Sequence, residues 1–180
     1  MRKKRDLDKQ KVVQAAIDLC DEVGIDGLTL PALAKKLDIR SQSLYHYVSG
    51  RKELLSLIGA QEVNRLKELL TTEIVGKSGK DAIITFSKTI REFILENKAL
   101  AAVLYHLNEY EKDDAIVQAI LDILKMAEQM NINVSHKAPT HVLIGAVLGY
   151  IFLDASTLFT DETEAEAEEN YYDMIFRIIQ

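Results

Sequence analysis

The chain holds one cysteine and two prolines in 180 residues. With Cys20 as the lone thiol no internal disulfide can form, and so few prolines leave long stretches open to helix. No uncharged run approaches the roughly 20 residues that cross a bilayer, and the longest apolar segment, 142–153, is too short. The opening MRKKRDLDKQ lacks the apolar stretch of a signal peptide, so a cytoplasmic protein is expected. There Cys20, on the apolar face of the first helix, reads as a buried thiol rather than a redox sensor.

Chemistry-bearing motifs are scarce as well. There is no phosphate-binding glycine loop, and no nucleophile motif singles out a serine. His136 and His141 flank Pro139, an expected helix start, which argues against a shared metal site. Asp161, Glu162, Glu164, Glu166, Glu168 and Glu169 lack the glycine turn and ligand order of a calcium loop and read as a solvated helix start. The chain is therefore expected to be no enzyme, with no catalytic residue, no metal and no cofactor.

What is present is helical periodicity and an uneven charge. Formal net charge is -6, yet residues 1–59 hold 11 Lys/Arg against 8 Asp/Glu, whereas residues 60–180 hold 11 against 20. A positive first third suits phosphate contact, and an acidic remainder discourages indiscriminate wrapping of DNA. Arg2, Lys3, Lys4 and Arg5 are either an arm near phosphates or a solubilising tail. Apolar periods then place helices at about 7–24, 82–95, 99–110, 115–130, 139–157 and 164–179, with another from Gly50 to about 74 and a break at 76–79. With the two short helices described next, the expectation is an all-α protein of about nine helices.

Residues 24–55, GIDGLTLPALAKKLDIRSQSLYHYVSGRKELL, hold the most specific pattern. Thr29 reads as an N-cap with Pro31 in the first turn, where a missing amide hydrogen is harmless. Leu30, Leu33, Ala34 and Leu37 make one apolar face, with Lys35 and Lys36 opposite. After Asp38 and Ile39 a second short helix is expected at about 41–47, anchored by Ile39 and Leu44. Arg40, Ser41, Gln42, Ser43, Tyr45 and His46 then face outward with no acid among them, a surface that can approach a polyanion.

The segment SQSLYHYVSGRKELL resembles the helix-turn-helix of the TetR family of bacterial transcriptional regulators, and the resemblance covers about the first 60 residues. Gly50 stands where the family has a polar cap, Arg51 where it has lysine and Val48 where phenylalanine is commoner. Pro31 occupies a place where some relatives carry a base-reading side chain. The geometry of such a motif puts its second helix in the major groove. DNA-binding residues are then expected at Thr29, Arg40, Ser41, Gln42, Ser43, Tyr45, His46, Tyr47 and Arg51. Gln42 suits adenine, Arg40 suits guanine or phosphate, and Tyr45, Tyr47 and Arg51 suit the backbone.

The resemblance implies the rest: a DNA-binding domain at 1–52, an effector-binding and dimerisation domain at 53–180, and a double-stranded operator bound by a homodimer, as a repressor. It also implies a pocket for a small molecule, or regulation by a protein partner. Phe86, Phe93, Tyr105, His106, Asn108 and Tyr110 are the candidates to line that pocket, each of them also explicable as core or structure. Gly145, Gly149 and Phe152, with Tyr171, Ile175 and Ile178 of the last helix, are expected in a four-helix dimer interface, a purely intrachain core being the other explanation of the same pattern. An acidic helical protein-interaction module is the alternative; it explains the charge of 60–180 but not the acid-free helix at helix-turn-helix spacing.

Overall fold

The computed structural model describes residues 7–129, 140–159 and 161–179. Among them the chain forms nine α-helices and no strand, as the period of its apolar residues requires. Contacts group it into two units, Met1–Arg65 with Asn97–Asp122, and Leu66–Glu96 with Ile123–Gln180. The basic arm, His136 and Pro139 lie outside the described residues.

In the first unit, α1 (Lys9–Gly27) starts where the Asp8 carboxylate accepts the Lys11 amide at 2.8 Å, satisfying a donor that a helix start leaves without a partner. Val12, Val13, Ala16, Ile17, Leu19 and Cys20 form its buried stripe. Burial also pushes the Cys20 thiol up to about 11, which leaves it protonated and unreactive at neutral pH. At Gly24 (φ 75°) the helical geometry breaks before one further turn to Gly27. Val23 is 52% exposed beside that break, although the helical spacing of Ala16, Leu19 and Cys20 would place it on the same stripe.

Thr29 caps α2 (Leu30–Leu37), its hydroxyl oxygen accepting the Ala32 amide at 3.2 Å. The helix ends where Asp38 turns left-handed (φ 54°, ψ 48°) and its amide closes on the Ala34 and Lys35 carbonyls; aspartate is one of the few side chains that tolerate this cap. Then α3 (Ser41–Leu44) is a single α-turn. The helix expected to reach Tyr47 tightens into turns after Leu44, with the Tyr47 amide on the Leu44 carbonyl at 2.8 Å. Leu44 and Val48, four residues apart and so on one side of the turn, both enter the core.

Leu28, Leu33, Leu44, Leu54 and Ile58 are fully buried in that core, each contributing about 1.5–3 kcal/mol of hydrophobic stabilisation. Two more elements complete it. The helix α4 (Arg51–Glu73) supplies Leu54 and Ile58, and α6 (Lys98–Tyr105) packs on α1 through Ala99. The helix expected over 99–110 is α only to Tyr105 and finishes as a 3₁₀ turn, Leu107–Glu109.

A polar junction ties α4 to α6. Asn97 caps α6 by accepting the Leu100 amide at 2.8 Å, while its Nδ2 donates to Glu62. Glu62 is fully buried and also accepts from Arg65 at 2.9 Å. It lies on the Ile58–Leu66 stripe of α4, where the spacing alone would place an aliphatic residue. Helix α7 (Ala115–Gln129) joins through its Ile116 amide, which donates to Ser56 at 3.2 Å.

The second unit holds α5 (Gly79–Glu96), α8 (Thr140–Asp154) and α9 (Glu164–Ile179). Arg91 of α5, itself buried, donates to Asp154 of α8. Tyr171 of α9 is fully buried, its hydroxyl donating to the Ser87 carbonyl at 3.2 Å. The acidic stretch at the start of α9 has a structural use: Thr163 and Glu166 form a reciprocal capping box, at 2.8 Å and 3.3 Å.

Candidate nucleic-acid interface

The short α3 is held by Leu44 beneath it and by Ile39, which packs on the same core. Its outer side carries Arg40, Gln42, Tyr45 and His46, all exposed, with Ser41 and Ser43 half-buried between them. Tyr45 is 59% exposed. From Ile39 to Lys52 there is no carboxylate, so this face offers hydrogen-bond donors and acceptors without repelling phosphate. Thr29 is exposed, and with its oxygen accepting the cap bond its hydroxyl hydrogen is still able to donate.

Two expected phosphate contacts are occupied otherwise. The Arg51 guanidinium points back into its own unit, donating from Nε to Leu28 at 3.0 Å and from Nη2 to Ile25 at 2.9 Å. These carbonyls end α1 and lead into α2, where helix geometry leaves acceptors without partners. Tyr47 is half-buried, and its hydroxyl donates to the Leu7 carbonyl at 3.0 Å, just before α1. Both residues tie the ends of α1 to the turn after α3 and the start of α4.

A further clamp escaped the sequence reading. Glu53 accepts from the Ser49 amide at 2.6 Å and from Lys9 at 2.8 Å, and these bonds hold its carboxyl down at about 2. Its signal was present, because Glu53 stands three residues after the Gly50 cap, where a capping box places glutamate.

Residues 12–58 match the family model of bacterial regulatory proteins, tetR family. The match runs from within α1 to within α4. Among curated relatives, the uncharacterized HTH-type transcriptional regulator YobS of Bacillus subtilis is 25% identical over 91 residues, 51% of this chain and 48% of that protein. The tetracycline repressor protein class D of Escherichia coli is 39% identical over 59 residues, 33% of this chain and 27% of the repressor. The chain thus spans half or less of the length of these curated relatives. A TetR transcriptional regulator of known structure from Streptomyces coelicolor superposes with a TM-score of 0.70 at 21% identity, covering 96% of this chain and 95% of the other, a likeness of fold.

The tetR-family match ends within α4, and the remaining expected sites divide between the units. Phe86 and Phe93 are in the second unit; Tyr105, His106, Asn108 and Tyr110 are in the first. His106 and Tyr110 line a cleft of about 110 Å³ with Arg51, Leu55 and Val103, well short of the roughly 300 Å³ where drug-sized sites begin. Tyr105 is 70% exposed and Asn108 is also exposed, so the four do not converge on one enclosed cavity.

Of the expected dimer residues, Tyr171 and Ile175 are buried inside their own unit, because that face of α9 packs inward. Gly145 is exposed, while Gly149, Phe152 and Ile178 are half-buried. A Cβ at either glycine would meet nothing within 4 Å. Leu158 and Phe159 lie 72% and 50% exposed beyond the end of α8. Among the described residues no group of three or more His, Cys, Asp or Glu side chains is placed to hold a metal, and no helix is long and apolar enough to cross a membrane.

Proposed function

We propose that this protein is a sequence-specific transcriptional regulator, a repressor, that binds a palindromic operator as a homodimer and is released by a small-molecule effector. The observation that carries the reading is the acid-free outer side of α3, seated on a buried Leu44 within the segment that matches the tetR family. Two copies related by a two-fold axis present two such helices to half-sites about one helical turn, or a multiple of it, apart. In this reading residues 1–52 read DNA and 53–180 dimerise and sense. Arg40, Gln42, Tyr45 and His46 face the groove, with Thr29, Ser41 and Ser43 at its margin.

Dimerisation runs through the faces of α8 and α9 that their own unit leaves open, at Gly145, Gly149, Phe152 and Ile178. The exposed Leu153, Leu158 and Phe159 extend that apolar surface, which is more than scattered surface residues explain. The names of the curated relatives, HTH-type transcriptional regulators and a tetracycline repressor, support regulation over catalysis. The protein acts in the cytoplasm, where its operator is.

Selection of binding sites from a random duplex library by the purified protein tests this. Enrichment of a palindrome supports the dimeric reader; a folded dimer that enriches no sequence rejects it.

A further inference from the structure

A cavity of about 480 Å³ opens within the first unit, between the start of α1, the first two turns of α4 and the loop that leads into α7. That volume lies within the roughly 300–1,000 Å³ of small-molecule sites. None of its lining residues belongs to α3, and none is among the positions assigned above to DNA or to the effector pocket.

Two lysines and four carboxylates line it, and they divide into groups already paired and groups that are not. Lys9 and Glu53 meet at 2.8 Å. The Asp114 carboxylate accepts the Glu111 amide at 2.8 Å, with the Lys52 ammonium 3.7 Å away. At that distance Lys52 balances the charge of Asp114 without hydrogen-bonding to it, so its N–H donors are still to be used. The carboxylates of Glu111 and Asp113 are exposed and have no ion pair or hydrogen bond among the described residues. With two pairs cancelling, the cavity keeps two negative charges in excess on its loop wall.

The α4 wall has the opposite need. Ser56 lines the cavity at 1% exposure, and its oxygen accepts the Ile116 amide at 3.2 Å. Its hydroxyl hydrogen has no acceptor among the described residues, and a buried donor left without one is costly. Lys52 and Ser56 are four residues apart, and so on one face of the helix. That face offers donors to an anionic oxygen, while the loop wall offers acceptors to cations.

We infer that this cavity binds a basic amino acid. The ligand's carboxylate accepts from Lys52 and Ser56 on the α4 wall, and its two cationic groups meet Glu111 and Asp113 on the loop wall. Its net positive charge offsets the excess of carboxylates, which a neutral or acidic amino acid does not do. Binding here is independent of whether α3 reads DNA.

The test is calorimetric titration of L-arginine and L-lysine into the full-length protein, with thermal melts of every variant to show that it is folded. Both should bind once per chain, L-leucine at least about tenfold more weakly. Agmatine and cadaverine, which lack the carboxylate, should lose about tenfold or more, the effect of hydrogen bonds to a charged group. Lys52→Gln and the pair E111Q/D113N change exposed side chains and should each weaken L-arginine by a similar factor. No binding of either amino acid at millimolar concentrations overturns the inference, as does an affinity that both variants leave unchanged. Agmatine and cadaverine binding as tightly as the amino acids would show a site for cations alone and reject it too.

Discussion

Arg51, the first residue of α4, donates to the Leu28 carbonyl at 3.0 Å and so pins the start of the long helix to the loop between α1 and α2. A second bond, to Ile25 at 2.9 Å, spans the turn after Gly24. The start of α4 is thereby tied to the end of α1 and to the loop before α2.

Arg51→Lys tests this role. Lysine keeps the charge but cannot reach both carbonyls with a planar fork. Because the side chain is largely exposed, the expected loss of stability is about 1 kcal/mol. DNA affinity should fall with an unchanged salt slope. A slope lower by about 0.9 would instead show that Arg51 meets a phosphate.

Glu53 makes stability depend on acid. Its carboxyl sits at about 2 when folded, against an ordinary value of 4.5. A lowered folded value means stability that is present in full above about 4.5 and lost as pH falls toward 2. Urea midpoints for wild type and Glu53→Gln should differ most near neutral pH and converge in acid. A constant gap from neutral pH down to pH 2 would contradict the pairing with Lys9 and Ser49.

Asn97 serves two elements, capping α6 and donating to the buried Glu62. Asn97→Ala should cost more than a missing cap alone, which is about 1 kcal/mol. The carboxylate left short of a donor brings the expected total to roughly 2–4 kcal/mol. Chemical denaturation measures it. Pairing the change with Glu62→Gln should recover part of the loss, because a neutral amide is less costly to bury.

Two helical glycines should respond oppositely to alanine. At Gly59 a Cβ would lie 2.7 Å from Ile116 and 2.9 Å from Val103; overpacking of about 1–3 kcal/mol outweighs a propensity gain of at most about 1 kcal/mol. At Gly145 the space is open, and Gly145→Ala should stabilise an isolated subunit by up to about 1 kcal/mol. If α8 pairs closely with its copy, the same change weakens the dimer, and sedimentation at decreasing concentration will show it. An unaltered dimer would move the interface away from Gly145.

Much of α2 and α3 was legible in the sequence. Thr29 and Pro31 announced α2, the apolar steps from Leu30 to Leu37 oriented it, and the absence of acids after Asp38 marked the outer side of α3. These features are local, set by propensity and by the three- and four-residue period of a helix. Periodicity alone does not account for Glu62, which is buried where Ile58 and Leu66 call for an aliphatic side chain. A partner 35 residues away, Asn97, makes its burial possible.

The sequence by itself determined that the protein is helical, roughly where its helices lie, and which short segment presents an acid-free outer side, since each follows from neighbours within a turn or two of chain. Only the tertiary structure decided the partners of its long polar side chains. Arg51 and Tyr47 have the chemistry to bind phosphate, yet both are held by carbonyls of α1 and its flanks. Tyr171 has the surface for an interface, yet it is buried against Ser87 within its own unit. Periodicity orients a side chain toward one side of its helix, but whether that side meets solvent, a partner or the chain itself depends on contacts between residues far apart in sequence.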